Sequence, residues 1–207
     1  YLGCNKAFEE FIGKKEAEIV GQTDFDLFSV ELASRFRNMD TEVLESKRPQ
    51  RRDELNITTN GYLADYDTLK APYFDARGEL VGLIGISRDI TERKIREEEI
   101  VYISNHDYLT GAYNRRFFEE EFERQNNAQN FPIAVVMGDV NGLKLINDSF
   151  GHHFGDKLLI EVVKRISECL RIGDVSARIG GDEFGIILPR TGKDEAAAIV
   201  TLIKQSI

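Results

Sequence analysis

The stretch Arg178-Ile-Gly-Gly-Asp-Glu-Phe184, which runs directly into the apolar Gly185-Ile-Ile-Leu188, decides the fold of the C-terminal half of this chain. A glycine pair and two acids separate strand-like residues 175–179 from strand-like residues 184–188, a pattern that predicts a β-hairpin. Two carboxylates about 4 Å apart repel by roughly 4 kcal/mol at an effective dielectric near 20. Such a turn favours a bound divalent cation, with an ordinary acidic hairpin as the alternative for the stretch alone.

A third acid follows residues 131–137, a continuous apolar run that predicts a buried strand. Asp139 at the end of this strand would meet Asp182 and Glu183 if the strand and the hairpin pair in one sheet. Three carboxylates suit Mg²⁺ or Mn²⁺, which keep several waters and take further ligands from substrate phosphates. The sequence therefore predicts a metal site at the hairpin.

The segment after this strand predicts contacts with a nucleotide. Gly142 lets backbone N–H groups face a phosphate, and Lys144 supplies a cation for it. Asn147 and Asp156, on a turn-rich connection, carry hydrogen-bonding groups that match the N1–H and 2-amino edge of guanine. His152 suits a contact with base or ribose. Taken singly, each has a structural alternative: a surface lysine, a helix cap or a satisfied histidine.

Composition limits the classes of function. The chain has 207 residues, 42% of them hydrophobic, and a net charge of −9, which argues against binding long nucleic acid because that affinity needs many basic contacts. Cys4 and Cys169 lack a paired spacing, so we expect neither a disulfide scaffold nor a zinc site, and a reducing cytoplasm fits. No apolar run approaches the ~20 residues of a membrane helix. This segment is predicted to make no membrane contact, although a longer protein that carries an anchor elsewhere stays compatible.

Residues 1–90 predict a small α/β unit. Ser29 is a suitable N-cap for a helix whose apolar positions recur at helical spacing. These positions are Leu32, Phe36, Met39, Val43 and Leu44. Three strand candidates follow at 53–59, 62–72 and 79–87. The turn signals between them, Asn60-Gly61 and Asp75-Ala-Arg-Gly78, predict an antiparallel meander.

Dense mixed charge at residues 89–99, with sparse isoleucines, predicts an exposed helix that joins two domains over residues 91–104. A solvated spacer is one interpretation, and a parallel dimer helix that passes a signal is the other. The apolar positions keep no clean heptad, which weakens the case for a coiled coil.

The second unit reads as α-β-α-β-β-α. Asn114 is predicted to cap a helix that carries Phe117, Phe118 and Phe122 on one face. The next helix is predicted to start at Gly155-Asp156, with apolar positions at a 3.6-residue period. Those positions are Leu158, Leu159, Val162, Val163, Ile166 and Leu170. A last helix is predicted from about Lys193.

Several motifs in this order closely resemble those of GGDEF-domain diguanylate cyclases, from about residue 105 to the end. The motifs are Asp107-Tyr-Leu-Thr110, Asn114-Arg-Arg116, Asp139-Val-Asn-Gly-Leu-Lys144, Ile146-Asn-Asp148, Gly151-His152, Gly155-Asp156 and Gly180-Gly-Asp-Glu-Phe184. The resemblance implies a ferredoxin-like palm fold with one GTP per domain. It also implies that two domains face each other to make cyclic di-GMP and release pyrophosphate.

The resemblance assigns roles residue by residue. Metal ions, Mg²⁺ or Mn²⁺ and two per GTP site, would be held by Asp139, the Val140 carbonyl, Asp182 and Glu183. Asp182 or Glu183 would help to deprotonate the attacking 3′-hydroxyl. Phosphate and nucleotide contacts would come from Gly142, Leu143, Lys144, Asn147, His152 and Asp156, with Asn147 and Asp156 on guanine. Asn141 stands where many relatives carry a second acid, a variable position outside the primary ligands.

Arg171-Ile-Gly-Asp174 lies five residues before the glycine pair, where the family has its Arg-x-x-Asp inhibitory site. As a bare tetrapeptide it would indicate only a surface pair. In this position the resemblance implies a site for the product, cyclic di-GMP. The resemblance also implies that the family domain continues beyond Ile207.

The first unit resembles a PAS sensor domain and its exit into a signalling helix. The resemblance rests on Asn5-Lys-Ala-Phe8, Gly21-Gln-Thr-Asp-Phe-Asp-Leu-Phe28 and Gly85-Ile-Ser-Arg-Asp-Ile-Thr-Glu-Arg-Lys94. It implies that a PAS strand precedes Tyr1. Cys4 lies outside the flavin-attaching motif and no histidine precedes His106, which disfavours flavin attachment and histidine-ligated haem. The PAS ligand stays open: a small polar or apolar molecule, or none.

We therefore predict an α/β (α+β) chain with a PAS domain at 1–90, incomplete at its N-terminus, a linker helix at 91–104 and a GGDEF domain at 105–207, incomplete at its C-terminus. The predicted function is a cytoplasmic, homodimeric, sensor-regulated diguanylate cyclase that is inhibited by its product. One alternative is a catalytically silent receptor for cyclic di-GMP or GTP. Another is a PAS module with an inert output remnant.

Overall fold

A computed structural model of the protein describes residues 1–57 and 63–207, in two units, Tyr1–Glu97 and Glu98–Ile207. The predicted turn at Asn60-Gly61 lies outside the described residues. Among the residues described, no helix is long and apolar enough to cross a membrane.

The first unit places helices ahead of a three-stranded sheet. The helices are α1 (Lys6–Ile12), α2 (Glu16–Ile19), α3 (Asp24–Leu27) and α4 (Val30–Ser46). The strands are β1 (Gln50–Ile57), β2 (Leu63–Phe74) and β3 (Leu80–Asp89). Both strand pairs are antiparallel, in the order β1-β2-β3, which confirms the predicted meander.

Helix α4 forms where the sequence predicts it. The Ser29 hydroxyl accepts a hydrogen bond from the Leu32 N–H, as an N-cap should. Met39 and Val43, two of the predicted apolar positions, are buried. On the sheet side, the Lys70 ammonium of β2 pairs with the Asp40 carboxylate of α4, with both side chains mostly buried.

Helix α5 (Thr91–Asn105) follows β3, and all of its residues are at least partly exposed. Its start is fixed to Asp65 of β2 in three ways. The Asp65 N–H donates to the Thr91 hydroxyl, the Asp65 carbonyl accepts from the Ile90 N–H, and the Asp65 carboxylate accepts from Lys94 at 2.8 Å. The hydrogen bond that Lys94 donates to Asp65 is the main reason why the pKa of Lys94 is raised.

The second unit builds a mixed four-stranded sheet covered by helices. Its elements are β4 (Tyr113–Asn114), α6 (Arg115–Gln125), β5 (Ala134–Asp139), α7 (Leu143–Phe150), α8 (His152–Cys169), β6 (Val175–Arg178), β7 (Glu183–Leu188) and α9 (Lys193–Ser206). The strand order is β4-β6-β7-β5, with β4 parallel to β6 and the other pairs antiparallel. The sequence predicted every element but β4 and α7.

The core of this unit lies between the sheet and helices α8 and α9. The buried apolar side chains are Ala112, Leu159, Val162, Val163, Ile166, Phe184, Ile186, Leu188, Ala196 and Ile203. Four of the six predicted apolar positions of α8 are in this cluster, and Leu158 and Leu170 pack against it. The 3.6-residue period thus identified the buried face of α8 correctly.

The prediction of a buried strand at 131–137 is wrong in its burial and its start. Strand β5 begins at Ala134, and Val135 and Met137 are 45% and 58% exposed. Successive side chains of a strand point to opposite faces of the sheet, and β5, an edge strand among the described residues, has one of these faces exposed. The neighbouring β7 is the strand that is buried over its whole apolar run.

The predicted start of α8 at Gly155-Asp156 is also wrong, as is the turn-rich connection before it. Residues 143–150 form α7, Gly151 breaks the helix at φ 88°, and α8 begins at His152. The polar and glycine-rich composition resembles a turn, but contact between the two helices overrides local propensity. Gly155 therefore lies inside α8 and against α7.

Candidate functional site

The acidic turn is closed by backbone hydrogen bonds. The Glu183 carbonyl accepts from the Ile179 N–H at 2.8 Å, which joins the ends of the turn. The Val140 N–H donates to the Asp182 carbonyl at 2.9 Å, and Asp139 pairs with Glu183 across β5 and β7. The strand that ends at Asp139 therefore pairs with the strand that follows the turn, which is the condition on which the predicted meeting of the acids depends.

The Arg178 side chain is hydrogen-bonded to the backbone of the acidic turn. Its guanidinium donates to the Gly181 carbonyl from Nη2 at 2.7 Å and to the Gly180 carbonyl from Nε at 3.1 Å. From Nη1 it donates to Asp107 Oδ1 at 3.0 Å. Both side chains of this ion pair are largely buried, 13% and 16% exposed, so loss of either partner would leave an uncompensated buried charge.

Asp107 belongs to the loop that follows α5. Its carboxylate also accepts hydrogen bonds from the Thr110 N–H at 2.9 Å and the Thr110 hydroxyl at 2.7 Å. Burial acts to raise the pKa of Asp107, but the hydrogen bonds from Thr110 and Arg178 outweigh burial and lower it. Asp107 therefore stays ionised and keeps Arg178 directed at the turn.

The acids of the site present hard oxygen donors. Asp139, Asp182 and Glu183 are all exposed, and paired positions on neighbouring strands bring side chains about 5 Å apart at Cβ. Such a donor set matches the chemistry of Mg²⁺ or Mn²⁺. Over residues 1–57 and 63–207, however, no group of three or more His, Cys, Asp or Glu side chains is gathered to hold a metal ion. The metal site stays a prediction.

The predicted phosphate contacts lie at the start of α7. Gly142 adopts φ 82°, a left-handed conformation that glycine tolerates, and is the N-cap of the helix. Leu143 and the exposed Lys144 form the first turn. Helix α7 follows Asp139 by only three residues, so these groups lie close to the acidic turn along the chain.

Asn147 lies where α7 packs against α8. Its Oδ1 atom is buried and has no hydrogen-bond partner within the described part of the chain. Gly155 permits this contact, because a Cβ at that position would come within 2.0 Å of Asn147 Oδ1. A buried acceptor without a partner is costly, and a ligand that donates a hydrogen bond would remove the cost.

The other predicted nucleotide contacts lie on the first turns of α8. His152 is exposed and Asp156 is partly exposed. Asp156 follows Gly155 directly, so it lies beside the contact between the helices that holds Asn147. The roles predicted for these residues stay predictions.

The predicted inhibitory motif forms a closed turn. The Asp174 carboxylate accepts from the Arg171 N–H at 3.0 Å and from Arg171 Nε at 3.3 Å. The Arg171 guanidinium also reaches Glu195 Oε1 at 2.9 Å, the Pro189 carbonyl at 3.1 Å and the Thr191 hydroxyl. Arg171 therefore connects the loop before β6 to the start of α9.

The sequence did not single out Arg178, Asp107 or Glu195 as functional. Arg178 stands directly before the predicted turn, and Asp107 lies within a family motif. No local pattern, however, indicates that two residues 71 positions apart form a pair. Glu195 carries no sequence signal, because an acid in the first turn of a helix is common.

The fold and the site define a class: an α/β domain with a palm-like sheet and an acidic glycine turn, preceded in the chain by a separate unit with an antiparallel sheet. Residues 104–207 match the family described as "Diguanylate cyclase, GGDEF domain", and residues 1–95 match the one described as "PAS fold". The chain belongs to the GGDEF diguanylate cyclase family, and its GGDEF domain follows a PAS fold.

Similar proteins include a diguanylate cyclase and a cyclic di-GMP phosphodiesterase. A diguanylate cyclase of Vibrio cholerae is 31% identical over 99% of this chain and 65% of its own length. A cyclic di-GMP phosphodiesterase of Shewanella oneidensis is 40% identical over 62% of this chain and 15% of its own length. The chain thus spans less than two thirds of either relative.

Among solved structures, the coiled coil and GGDEF domain of DgcB from Caulobacter crescentus, in complex with c-di-GMP, is similar to this chain. The two share 26% sequence identity with a TM-score of 0.52, over 55% of this chain and 61% of that one. The similarity supports the fold described for the second unit.

Proposed function

We propose that this chain is the sensor and catalytic part of a diguanylate cyclase that condenses two GTP molecules into cyclic di-GMP and releases pyrophosphate. The observation that carries the proposal is the pairing of Asp139 with Glu183 across β5 and β7, with the Val140 N–H on the Asp182 carbonyl. This pairing puts Asp139 opposite Glu183, next to a glycine turn whose backbone a large ligand could approach.

The acids would hold Mg²⁺ or Mn²⁺. Asp139, Asp182, Glu183 and the Val140 carbonyl are the proposed ligands, and bound metal would neutralise phosphate charge. Asp182 or Glu183 would accept the proton of the attacking 3′-hydroxyl. The 3′-oxygen then forms a bond to the α-phosphorus of the other GTP, and the bond to the β-phosphate oxygen breaks.

The nucleotide would lie along α7 and the start of α8. The backbone of Gly142 and Leu143 and the Lys144 ammonium would contact phosphate oxygens. The buried Asn147 Oδ1 has no partner among the described residues, and it would accept from the guanine 2-amino group or N1–H. Asp156 would accept a second hydrogen bond from the same edge, and His152 would contact base or ribose.

Product formation requires two such sites to face each other, so the active form would be a homodimer. The PAS unit would control this geometry through α5, whose start is fixed to Asp65 of β2. Cyclic di-GMP would inhibit the enzyme by binding at Arg171 and Asp174.

The test incubates the full-length protein with GTP and Mg²⁺ and follows cyclic di-GMP and pyrophosphate by chromatography. We expect both products, and Asp182→Ala should abolish them. Asp148→Ala, which removes an exposed acid of α7, is the matched control and should keep activity. No product from the wild type, even with Arg171→Ala to relieve inhibition, would favour a catalytically silent receptor instead.

A further inference from the structure

Arg171 belongs to the proposed product site, and most of its N–H donors already make hydrogen bonds within the protein. Its guanidinium donates to Asp174 Oδ1, Glu195 Oε1, the Pro189 carbonyl and the Thr191 hydroxyl. A guanidinium has five N–H donors, and its planar fork suits a phosphate or a carboxylate. A ligand that uses Arg171 must therefore displace some of these acceptors.

The four acceptors differ in how easily they can be displaced. Asp174 is 2% exposed in its side chain, and its other oxygen accepts from the Arg171 backbone, so it belongs to the turn itself. Thr191 is buried at 1% exposure, and its hydroxyl also donates to the Pro189 carbonyl. Both acceptors are built into the fold around Arg171.

Glu195 is different. It lies in the first turn of α9, 24 residues from Arg171, and its side chain is 51% exposed against 47% for Arg171. The carboxylate contacts Arg171 Nη1 at 2.9 Å, in the part of the proposed site that is open to solvent. Solvent already reaches both groups, so this contact can open at small cost.

We propose that Glu195 is a built-in competitor for the product at Arg171 and sets the concentration of cyclic di-GMP at which inhibition begins. The inference rests on the proposed product site. A phosphate of cyclic di-GMP and the Glu195 carboxylate are both anions that pair with the same guanidinium. Binding of one releases the other, and the free Glu195 carboxylate also repels the bound phosphate.

Exposed ion pairs are weak, so removal of Glu195 should tighten product binding by about one-and-a-half- to fivefold. The experiment measures the Kd of cyclic di-GMP by titration calorimetry on the full-length protein. Glu195→Ala removes the competitor, and Glu195→Gln keeps its size without the charge. Both should bind more tightly than the wild type.

Asp194→Ala is the matched control. It removes an acid from the same first turn of α9, and Asp194 is not among the described acceptors of Arg171. Its Kd should equal that of the wild type. If Asp194→Ala lowered the Kd as much as the Glu195 variants do, the effect would come from a general loss of negative charge and the proposal would be wrong. An unchanged Kd in both Glu195 variants would also overturn it.

Arg171→Ala separates this inference from the proposed function. We expect it to weaken product binding at least tenfold, and Glu195→Ala added to Arg171→Ala should change nothing further. If Arg171→Ala binds like the wild type, the product site itself is wrong and the inference falls with it. If Arg171→Ala weakens binding but the Glu195 variants do not tighten it, the product site stands and the role of Glu195 is disproved.

Discussion

Arg178 Nη1 lies 3.0 Å from Asp107 Oδ1, an ion pair that joins the strand before the acidic turn to the loop after α5. The same guanidinium holds the carbonyls of Gly180 and Gly181. The position of the turn therefore depends on a side chain 71 residues away, two residues after the end of α5. Asp107 and Arg178 are positioning residues for the proposed metal ligands.

Removal of Arg178 should harm both stability and turnover. Arg178→Ala leaves the carboxylate of Asp107 without its cation in a largely buried place, which should cost about 3 kcal/mol. The loosened turn should lower kcat about a hundredfold, because small displacements of reacting groups have effects of this size. Urea unfolding and steady-state turnover would measure the two effects. Arg165→Ala, which breaks an exposed helical pair with Glu161, is the control and should leave both unchanged. Wild-type turnover in Arg178→Ala would contradict the positioning role.

The lowered pKa of Asp107 predicts a specific loss of stability in acid. Its value in the unfolded chain is about 3.9, and in the folded chain it is lower. The carboxylate therefore contributes its full stabilisation above about pH 4, and this contribution falls as pH drops through the folded value. Asp107→Asn removes the group, so its unfolding free energy should fall less than that of the wild type below about pH 4. Denaturant unfolding between about pH 3 and pH 6 would compare the two proteins. If the unfolding free energies of the two proteins changed in parallel with pH, the contacts with Thr110 and Arg178 would not lower the pKa of Asp107 in the folded chain.

Gly155→Ala should disrupt the contact between α7 and α8. The added Cβ would meet Asn147 Oδ1 at 2.0 Å and Leu143 Cδ1 at 3.1 Å, so overpacking of about 1–3 kcal/mol is expected. GTP binding should weaken as well, because Asn147 must move. Asn147→Ala in the same protein should restore part of the stability but none of the GTP affinity. Gly85→Ala, whose Cβ would make only an ordinary contact with Lys70 Cγ at 3.8 Å, is the control. Thermal melts and GTP titrations would test the prediction, and full GTP affinity in Gly155→Ala would count against the placement of the base.

Asp139→Asn should stabilise the protein in the absence of metal while it abolishes activity. Asp139 and Glu183 are paired positions on neighbouring strands, where like charges are unfavourable by about 0.5 kcal/mol. Loss of one charge should raise Tm slightly in EDTA and remove the rise in Tm that Mg²⁺ gives to the wild type. Asp148→Asn, on the exposed side of α7, should keep the response to Mg²⁺. A full Mg²⁺ response in Asp139→Asn would exclude Asp139 as a ligand.

Much of the fold could be read from the sequence because its signals are local. Ser29 and Asn114 cap the helices they were expected to cap, since an N-cap acts within three residues. The apolar period of α8 identified its buried face. The predictions failed where contacts with distant elements determine the structure. Val135 and Met137 are exposed because of the place of β5 in the sheet, and residues 143–150 are helical because α7 packs on α8.

The sequence by itself determined the family, the order of the elements and the acids at the glycine turn, because each rests on spacing along the chain. Only the tertiary structure decided which side chains hold that turn and which occupy the predicted product site. Arg178 reaches Asp107, and Arg171 reaches Glu195, through sheet and helix packing that brings distant residues within hydrogen-bonding distance. The local sequence does not indicate such pairs, because each partner alone is an ordinary charged residue.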